Sequence, residues 1–345
     1  MPPGVLEKIT SAEVAKRAGV SQSAVSRVFT PGASASPEMT KRVRRAADEL
    51  GYRPNILARS LITGRSRIIG LVISYLENNF YPEVLEKLSA ALQQRGYHVL
   101  VFMARQSVES IDDVVQEILD YQVDGIVTAS VAMSSDLAMR CQAAGIPVVL
   151  FNRAQDDPSL SAVESDNRAG GAALGRFLVA GGHCRIGYIA GWEGASTQRD
   201  REAGLMDALE DAGMTLHARA VGNFRHEEAA EATRSMFAAA ERPDAVFVAN
   251  DHMAFAVMDV LRFELGLRIP DDVSVVGFDD VPMAAWPSYD LTTVRQSAEA
   301  MVAQTVDILI GHIEQQDSTP RRASVAAPLI QRGSARVPEN GSTSQ

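Results

Sequence analysis

Gln22, Ser23 and Arg27 stand at i, i+1 and i+5 of a short helical stretch, so their side chains share one face of that helix. Gln and Arg can each make two parallel hydrogen bonds to a base edge, the chemistry that tells base pairs apart in the major groove of DNA. A second group follows β-rich runs much further along: Ser74, Asn152 with Arg153, Asn250 with Asp251, and Asp279 with Asp280, joined by Arg201 in Arg199-Asp200-Arg201-Glu202. Parallel α/β sheets bind ligands outside the carboxyl ends of their strands, so these positions suit a small molecule. Each has a plainer use as well, since Asn250 or Asp251 can cap the next helix and Arg199 or Arg201 can pair with Asp200 or Glu202.

Catalytic chemistry is not legible. The histidines at 98, 183, 217, 226, 252 and 312 have no metal-ligand spacing, and no P-loop, nucleophile elbow or G-x-G-x-x-G follows a strand. Asp279 and Asp280 are adjacent after a strand and therefore point in different directions, which argues against a catalytic pair. No catalytic residue, metal or cofactor is expected.

The elements that must position the first group are three short helices. Ser11–Ala18 (SAEVAKRA) begins with a hydroxyl that can cap a helix and sets Val14 and Ala18 four apart on an inward stripe. Gly19 suits a left-handed turn, Val20 can plug a small core, and Ser21 can cap a second helix from Gln22 to about Phe29. Ser36-Pro37 and Gly51 frame a third, with Met39, Val43, Ala46, Ala47 and Leu50 as its buried face. Such a unit lays its second helix in the major groove, although generic three-helix packing could give the same pattern. Residues 56–62 (ILARSLI) suffice for about two turns, below the ~12 residues at which an isolated helix becomes stable in water. That stretch reads as a linker, except that Arg59 and Leu61 suit the minor groove, where cations meet phosphates and apolar wedges unstack a base step.

Charge divides the chain in the same place. Residues 1–67 contain 12 Lys or Arg against 5 Asp or Glu, a net charge of +7. The other 278 residues carry 21 basic and 38 acidic side chains, a net of −17. A basic head on an acidic body suits a polyanion-binding module attached to something else. At 345 residues, 46% hydrophobic and 22% charged, the chain calls for two or three globular units. Cys141 and Cys184 form no disulfide framework, the N-terminal segment lacks the apolar core of a signal peptide, and no apolar run nears the ~20 residues that span a bilayer. A cytoplasmic protein without membrane contact is expected.

The body alternates β-rich and helical stretches, which predicts parallel α/β architecture with strands near 68–74, 99–103, 125–129, 148–151, 185–190, 245–248 and 274–278. Val123-Asp124-Gly125-Ile126-Val127 leads through a helix to Val148-Val149-Leu150, and Pro243-Asp244-Ala245-Val246-Phe247 leads through another to Ser274-Val275-Val276. This repeated grammar implies two similar half-domains.

Ile9-Thr10, Ala18-Gly19-Val20-Ser21, Val25-Ser26-Arg27-Val28, Leu50-Gly51-Tyr52-Arg53-Pro54-Asn55, Ala58-Arg59-Ser60-Leu61, Ile69-Gly70-Leu71-Val72, Val275-Val276-Gly277-Phe278-Asp279-Asp280 and Leu291-Thr292-Thr293-Val294 together resemble the lactose-repressor (LacI/GalR) family. The resemblance runs from about Ile9 to Gly333 and implies a helix-turn-helix head (1–54), a hinge helix (55–64) and a two-lobed periplasmic-binding-protein-like α/β core (65–333). It implies lobes of about 65–161 with 292–320 and 162–291 with 321–333 and three crossovers; beyond it, the polar, Pro- and Gly-containing tail 334–345 reads as disordered. The implied DNA-binding set has Thr10, Ser21 and Ser26 at phosphates and Gln22, Ser23 and Arg27 at bases, with Thr30, Ala58, Arg59 and the wedge Leu61. Thr30 stands where many members have Asn, and Ala35 where Val is common, so the loop 31–34 departs from the pattern.

For the core, the resemblance implies an effector set of Ser74, Asn152, Arg201, Asn250, Asp279 and Gln296, walled by Phe80, Tyr81 and Phe224. A carboxylate, a guanidinium, amides and aromatic walls suit a hydroxylated ligand, a sugar or sugar derivative by default, and Arg201 equally accommodates a sugar acid or a phosphorylated ligand. The expected protein is a dimeric regulator, in the first instance a repressor, bound to a near-palindromic double-stranded operator. A solute-binding receptor without DNA function is the alternative.

Overall fold

The computed structural model describes residues 9–30, 33–53, 65–104, 114, 116–129, 135–153, 155, 157, 159–315 and 319–338. The hinge residues Ala58, Arg59 and Leu61 therefore lie outside the described residues. The chain divides into two compact units, residues 1–67 and 68–345.

In the first unit, α1 (Ser11–Ala18), α2 (Gln22–Phe29) and α3 (Pro37–Leu50) close over Val14, Ala15, Ala18, Val25, Val43, Ala46 and Ala47. The cap of α1 is Thr10, one residue before the expected Ser11. Its backbone N–H and hydroxyl donate to the Glu13 carboxylate at 2.7 and 2.9 Å, and its Oγ1 accepts the Glu13 N–H. This reciprocal box satisfies two otherwise orphaned donors, which a lone Ser11 cap could not do. Gly19 at φ 64° ends α1, and the Arg42 guanidinium holds that turn through Ala18 O and Gly19 O.

The second unit contains two six-stranded sheets. The first orders β2 (His98–Met103), β1 (Ile68–Ile73), β3 (Gly125–Ala129), β4 (Val148–Phe151), β5 (Ser161–Ser165) and β11 (Arg322–Val325), all parallel. The second orders β7 (Ala218–Val221), β6 (Ile186–Ala190), β8 (Ala245–Val248), β9 (Ser274–Asp279), β10 (Thr292–Arg295) and β12 (Leu329–Ile330), with only β12 antiparallel. Central strands such as IIGLVI and SVVGFD are continuous apolar or small-residue runs because helices cover both faces of a parallel sheet. Among those helices, α4 (Phe80–Gln94), α5 (Ser135–Ala143) and α10 (Ala298–Gln315) belong to the first sheet, and α6 (Asn167–Ala180), α7 (Ser196–Asp211), α8 (His226–Phe237) and α9 (Asp251–Asp259) to the second.

The expected lobe boundaries are displaced. Ser161 pairs with Val149 and Arg322 with Ala162, which puts β5 and β11 in the first sheet, whereas Thr292 pairs with Val276, which puts β10 in the second. Each crossing therefore follows its strand, giving lobes of 68–165 with 298–325 and 166–295 with 329–338. Three crossings do connect them. The short, partly polar strands β5, β7, β10, β11 and β12 lack the apolar runs that made the other seven legible.

The tail also differs from expectation. Ser334 accepts the Thr292 N–H through Oγ at 2.8 Å and donates that hydroxyl to Val275 O at 2.6 Å, while Arg336 N–H donates to Ser274 Oγ. Its polar residues answer backbone groups at the ends of β9 and β10, so residues 334–336 are fixed; residues 339–345 lie outside the described residues.

α6 and α7 pack so closely that a Cβ on Gly204 would meet the Arg168 carbonyl oxygen, and one on Gly171 the Arg201 carbonyl. Since backbone cannot retreat as a side chain can, Gly204→Ala should destabilise the body by ~1–3 kcal/mol, read as a lower urea midpoint at unchanged m-value. This approach sets the depth of α7, which carries Arg201.

Candidate functional site

In the head, Thr10, Ser21, Gln22, Ser23, Ser26 and Arg27 are exposed and Thr30 is half-buried. Ala24 and Val25 pin the opposite face of α2 to the core, so its outward face has a fixed orientation. Ser21 Oγ accepts the Ala24 N–H and lies 2.9 Å from Ser23 Oγ. Gln22 Nε2 donates to Ser11 Oγ at 2.9 Å, Arg27 Nε to Ser23 O at 3.4 Å, and Thr30 Oγ1 to Ser26 O at 2.8 Å. These weak, exposed contacts orient the side chains and exchange readily for others. The first turn of α2 has no acidic residue, so its positive helix end stays uncancelled, as phosphate contact requires.

In the body, the strand ends converge as the sequence rule requires. Asp279 closes β9 at φ 135°, a conformation costly for a non-glycine residue, and its carboxylate is 3% exposed. Gln296 Nε2, just after β10, donates to its Oδ1 at 2.6 Å; Asn78 Nδ2, from the other lobe, donates to its Oδ2 at 3.1 Å. Arg201 Nη2 faces the same carboxylate at 3.6 Å. That guanidinium is 2% exposed, lies 3.7 Å over the Phe278 ring, and donates to Asn167 Oδ1 and Ala249 O at 2.9 and 2.6 Å. Burial pushes the Asp279 carboxyl up and the Arg201 guanidinium down, and each draws the other back toward the ion pair. Asp280 points away, to Arg295 and Arg332 at 2.6 Å each, so the adjacent carboxylates do diverge.

From the first lobe, Asn152 follows β4 at φ 64°, donates to the Tyr81 hydroxyl at 3.3 Å, and has a buried Oδ1 with no hydrogen-bond partner among the described residues. Gln296 Oε1 is in the same condition. Arg153 lies over the Trp192 and Phe224 rings, 5.6 and 5.7 Å from their centroids, and so spans the lobes. Phe224, at φ 60°, lies against Gly191, where any Cβ would strike the ring. Tyr81 stacks edge-on against Tyr75 and Phe80, while Phe80 is core, stacked on Phe151. Ser74 is half-buried at the end of β1. Asn250 takes the plainer role, its Oδ1 accepting the Met253 N–H as the cap of α9.

Sequence reading missed Tyr75, Asn78, Asn167 and Trp192, and left Arg153 beside the set. Tyr75 and Asn78 follow β1 and Trp192 follows β6 by a few residues, so a wider window after each strand would have found them. Asp251 was placed near the site but not given its chemistry. Fully buried, it accepts the Thr293 hydroxyl at 2.7 Å and the Val281 N–H at 3.1 Å, and burial followed by the nearby Asp279 charge pushes it up to about 7. The folded protein thus holds a proton that the unfolded chain loses near pH 4, so this carboxyl makes stability fall as pH rises from about 4 to 7. Asp251→Asn should flatten that decline, measured by urea melts at intervals across the range; an unaltered slope would assign it to other groups.

A basic, groove-sized helical unit and a two-lobed binding cleft in one chain define a DNA-binding regulator with its own ligand-binding body. The chain belongs to the lacI family of bacterial regulatory proteins. The family model for bacterial regulatory proteins of the lacI family matches residues 10–55, and that for a periplasmic binding protein-like domain matches residues 175–335. The HTH-type transcriptional regulator CelR of Thermobifida fusca is 33% identical over 332 residues, 93% of this chain and 96% of CelR. Among solved structures, a CelR–cellobiose complex superposes with a TM-score of 0.71 at 32% identity, covering 95% of this chain and all of that one. The lac repressor dimer bound to operator and the anti-inducer ONPF reaches 0.86 at 27% identity, covering 95% and 99%. Among the described residues, no helix is long and apolar enough to cross a membrane.

Proposed function

We propose that this regulator is a cytoplasmic, dimeric repressor whose operator affinity is set by a neutral, polyhydroxylated effector, a sugar or sugar derivative, bound between the lobes. The observation that carries the effector class is the pair of carboxamide oxygens unanswered among the described residues, Asn152 Oδ1 after β4 of the first lobe and Gln296 Oε1 in the crossing just after β10 of the second. Both are acceptors, so they call for donors on the ligand, and hydroxyl groups supply them. Arg201 favours the same class over an anion, because Asn167, Ala249 and Asp279 already engage its N–H groups. Asp279, with two lone pairs left after Asn78 and Gln296, accepts a further hydroxyl; Trp192 and Phe224 cover the apolar face of a ring. The cellobiose bound by a relative 32% identical supports this choice of ligand.

On the DNA side, Gln22, Ser23 and Arg27 read bases, Thr10, Ser21, Ser26 and Thr30 meet phosphates, and Ala58, Arg59 and Leu61 of the hinge enter the minor groove. Two heads on a two-fold dimer require a near-palindromic site, in keeping with the operator-bound lac repressor dimer. Transmission follows from differential binding: an effector that prefers one lobe angle shifts the population able to pair both hinges with DNA. No catalytic step is assigned, and cofactor and metal are absent from this scheme.

The test is a duplex selected from a random pool by the purified protein, then labelled and titrated against a panel of neutral sugars, sugar acids and sugar phosphates. A neutral sugar should shift operator affinity in the wild type and fail in Asn152→Ala. A response confined to the acids or phosphates would overturn the effector class, and failure to select any duplex would overturn the DNA function.

A further inference from the structure

The Asn78 carboxamide meets the Tyr75 hydroxyl and, more consequentially, engages both lobes at once. Its Oδ1 accepts the Phe80 N–H at 3.1 Å, tying it to the start of α4 in the first lobe, and its Nδ2 donates to Asp279 Oδ2 at the end of β9 in the second. The residue is 3% exposed and Asp279 equally buried, so this charge-assisted bond lies in a low-dielectric cleft where water competes poorly. The chain's own side chains form the whole bridge, which therefore needs no ligand. It occupies Asp279 Oδ2, while Oδ1 is engaged by Gln296 and faces Arg201.

We propose that Asn78 is a positioning residue for the regulatory switch: it latches the two lobes together through Asp279 and sets the population of closed cleft before any effector binds. If the effector reading above is correct, on which this second consequence rests, a ligand hydroxyl joins Asn78 and Gln296 at the Asp279 carboxylate. The effector then controls only the closure that the latch leaves undone. An intact latch narrows the difference in operator affinity with and without effector, whatever the sign of the response.

Asn78→Asp still accepts the Phe80 N–H but can bridge to Asp279 only by sharing a proton between two buried carboxyls, so its latch should weaken as pH rises. The double variant Asn78→Asp with Asp279→Asn reverses the polarity of the same bond and restores the total charge. Asn78→Ala removes the bridge without adding charge. Trp192 is the reporter, in a Trp286→Phe background, because Arg153 of the opposite lobe lies 5.6 Å over its ring and must leave it when the cleft opens.

In full-length protein without any small molecule, Asn78→Ala should shift the open-to-closed ratio by about tenfold or more, the effect of losing one hydrogen bond to a charged group, and Asn78→Asp should do so increasingly as pH rises. Trp192 should become more accessible to acrylamide, its emission should move to the red, and affinity for the selected duplex should change. The double variant should return all three toward wild type. Unchanged Trp192 quenching in Asn78→Ala, or a double variant as open as Asn78→Ala, would overturn the latch. Because no sugar is present, that outcome is distinct from failure of the effector panel.

Discussion

Arg201→Met lowers the stability of the body by about 3–5 kcal/mol, the usual penalty for removing one partner of a buried ion pair. Methionine replaces much of the volume and can still contact the Phe278 ring, so the loss is electrostatic rather than a cavity effect. Three acceptors lose their donor or counter-charge together: Asn167 Oδ1, Ala249 O and the Asp279 carboxylate. Asp279 already has its carboxyl pushed up by burial, and without the guanidinium it is pushed further. The folded variant therefore holds a proton to higher pH than the unfolded chain, so its stability falls as pH rises and the deficit relative to wild type is larger at pH 8 than at pH 5. Urea melts at those two values check this, and an equal deficit at both would remove Asp279 from the account. Because residues 1–67 form their own compact unit, salt-sensitive duplex binding by the head persists wherever the body remains folded.

The second large effect falls on DNA. Arg27→Ala weakens binding to the selected operator by ~1–3 kcal/mol, roughly tenfold to more than a hundredfold, and relaxes the preference at one base pair. Thermal stability should not change, because the side chain is exposed and its hydrogen bond among the described residues is a long one, 3.4 Å to Ser23 O. Competition with duplexes carrying each base at each position distinguishes base reading from phosphate contact. Uniform weakening across all of them would make Arg27 a phosphate ligand only.

The head was almost fully legible because its signals are local. Caps, Gly19, Gly51 and the i, i+4 stripe of Val14 and Ala18 act within a few residues, and the one-residue shift from Ser11 to Thr10 reflects a reciprocal partner, Glu13, three positions on. The central strands were legible for a similar reason, being buried on both faces and therefore apolar throughout. The edges were not. β10, with its buried pair Thr292 and Thr293, answers to Ser334, Arg332 and Asp251, which lie some 40 residues away, and no periodicity records such partners. The fixed tail at Ser334 was obscured in the same way.

The order of residue types along the chain, with its caps, strand runs and division of charge, determined that a basic helical reader precedes a two-lobed α/β body and that polar side chains collect at strand ends. Only the tertiary structure decided what those side chains do there. It made Asn250 the cap of a helix, gave Asp280 to Arg295 and Arg332, and brought Asn78, 201 residues distant, to the Asp279 carboxylate. The physical reason is range: caps and periodicity are interactions between near neighbours in the chain, whereas a buried charge is assigned its partner by whichever donors the folded core brings within about 3 Å.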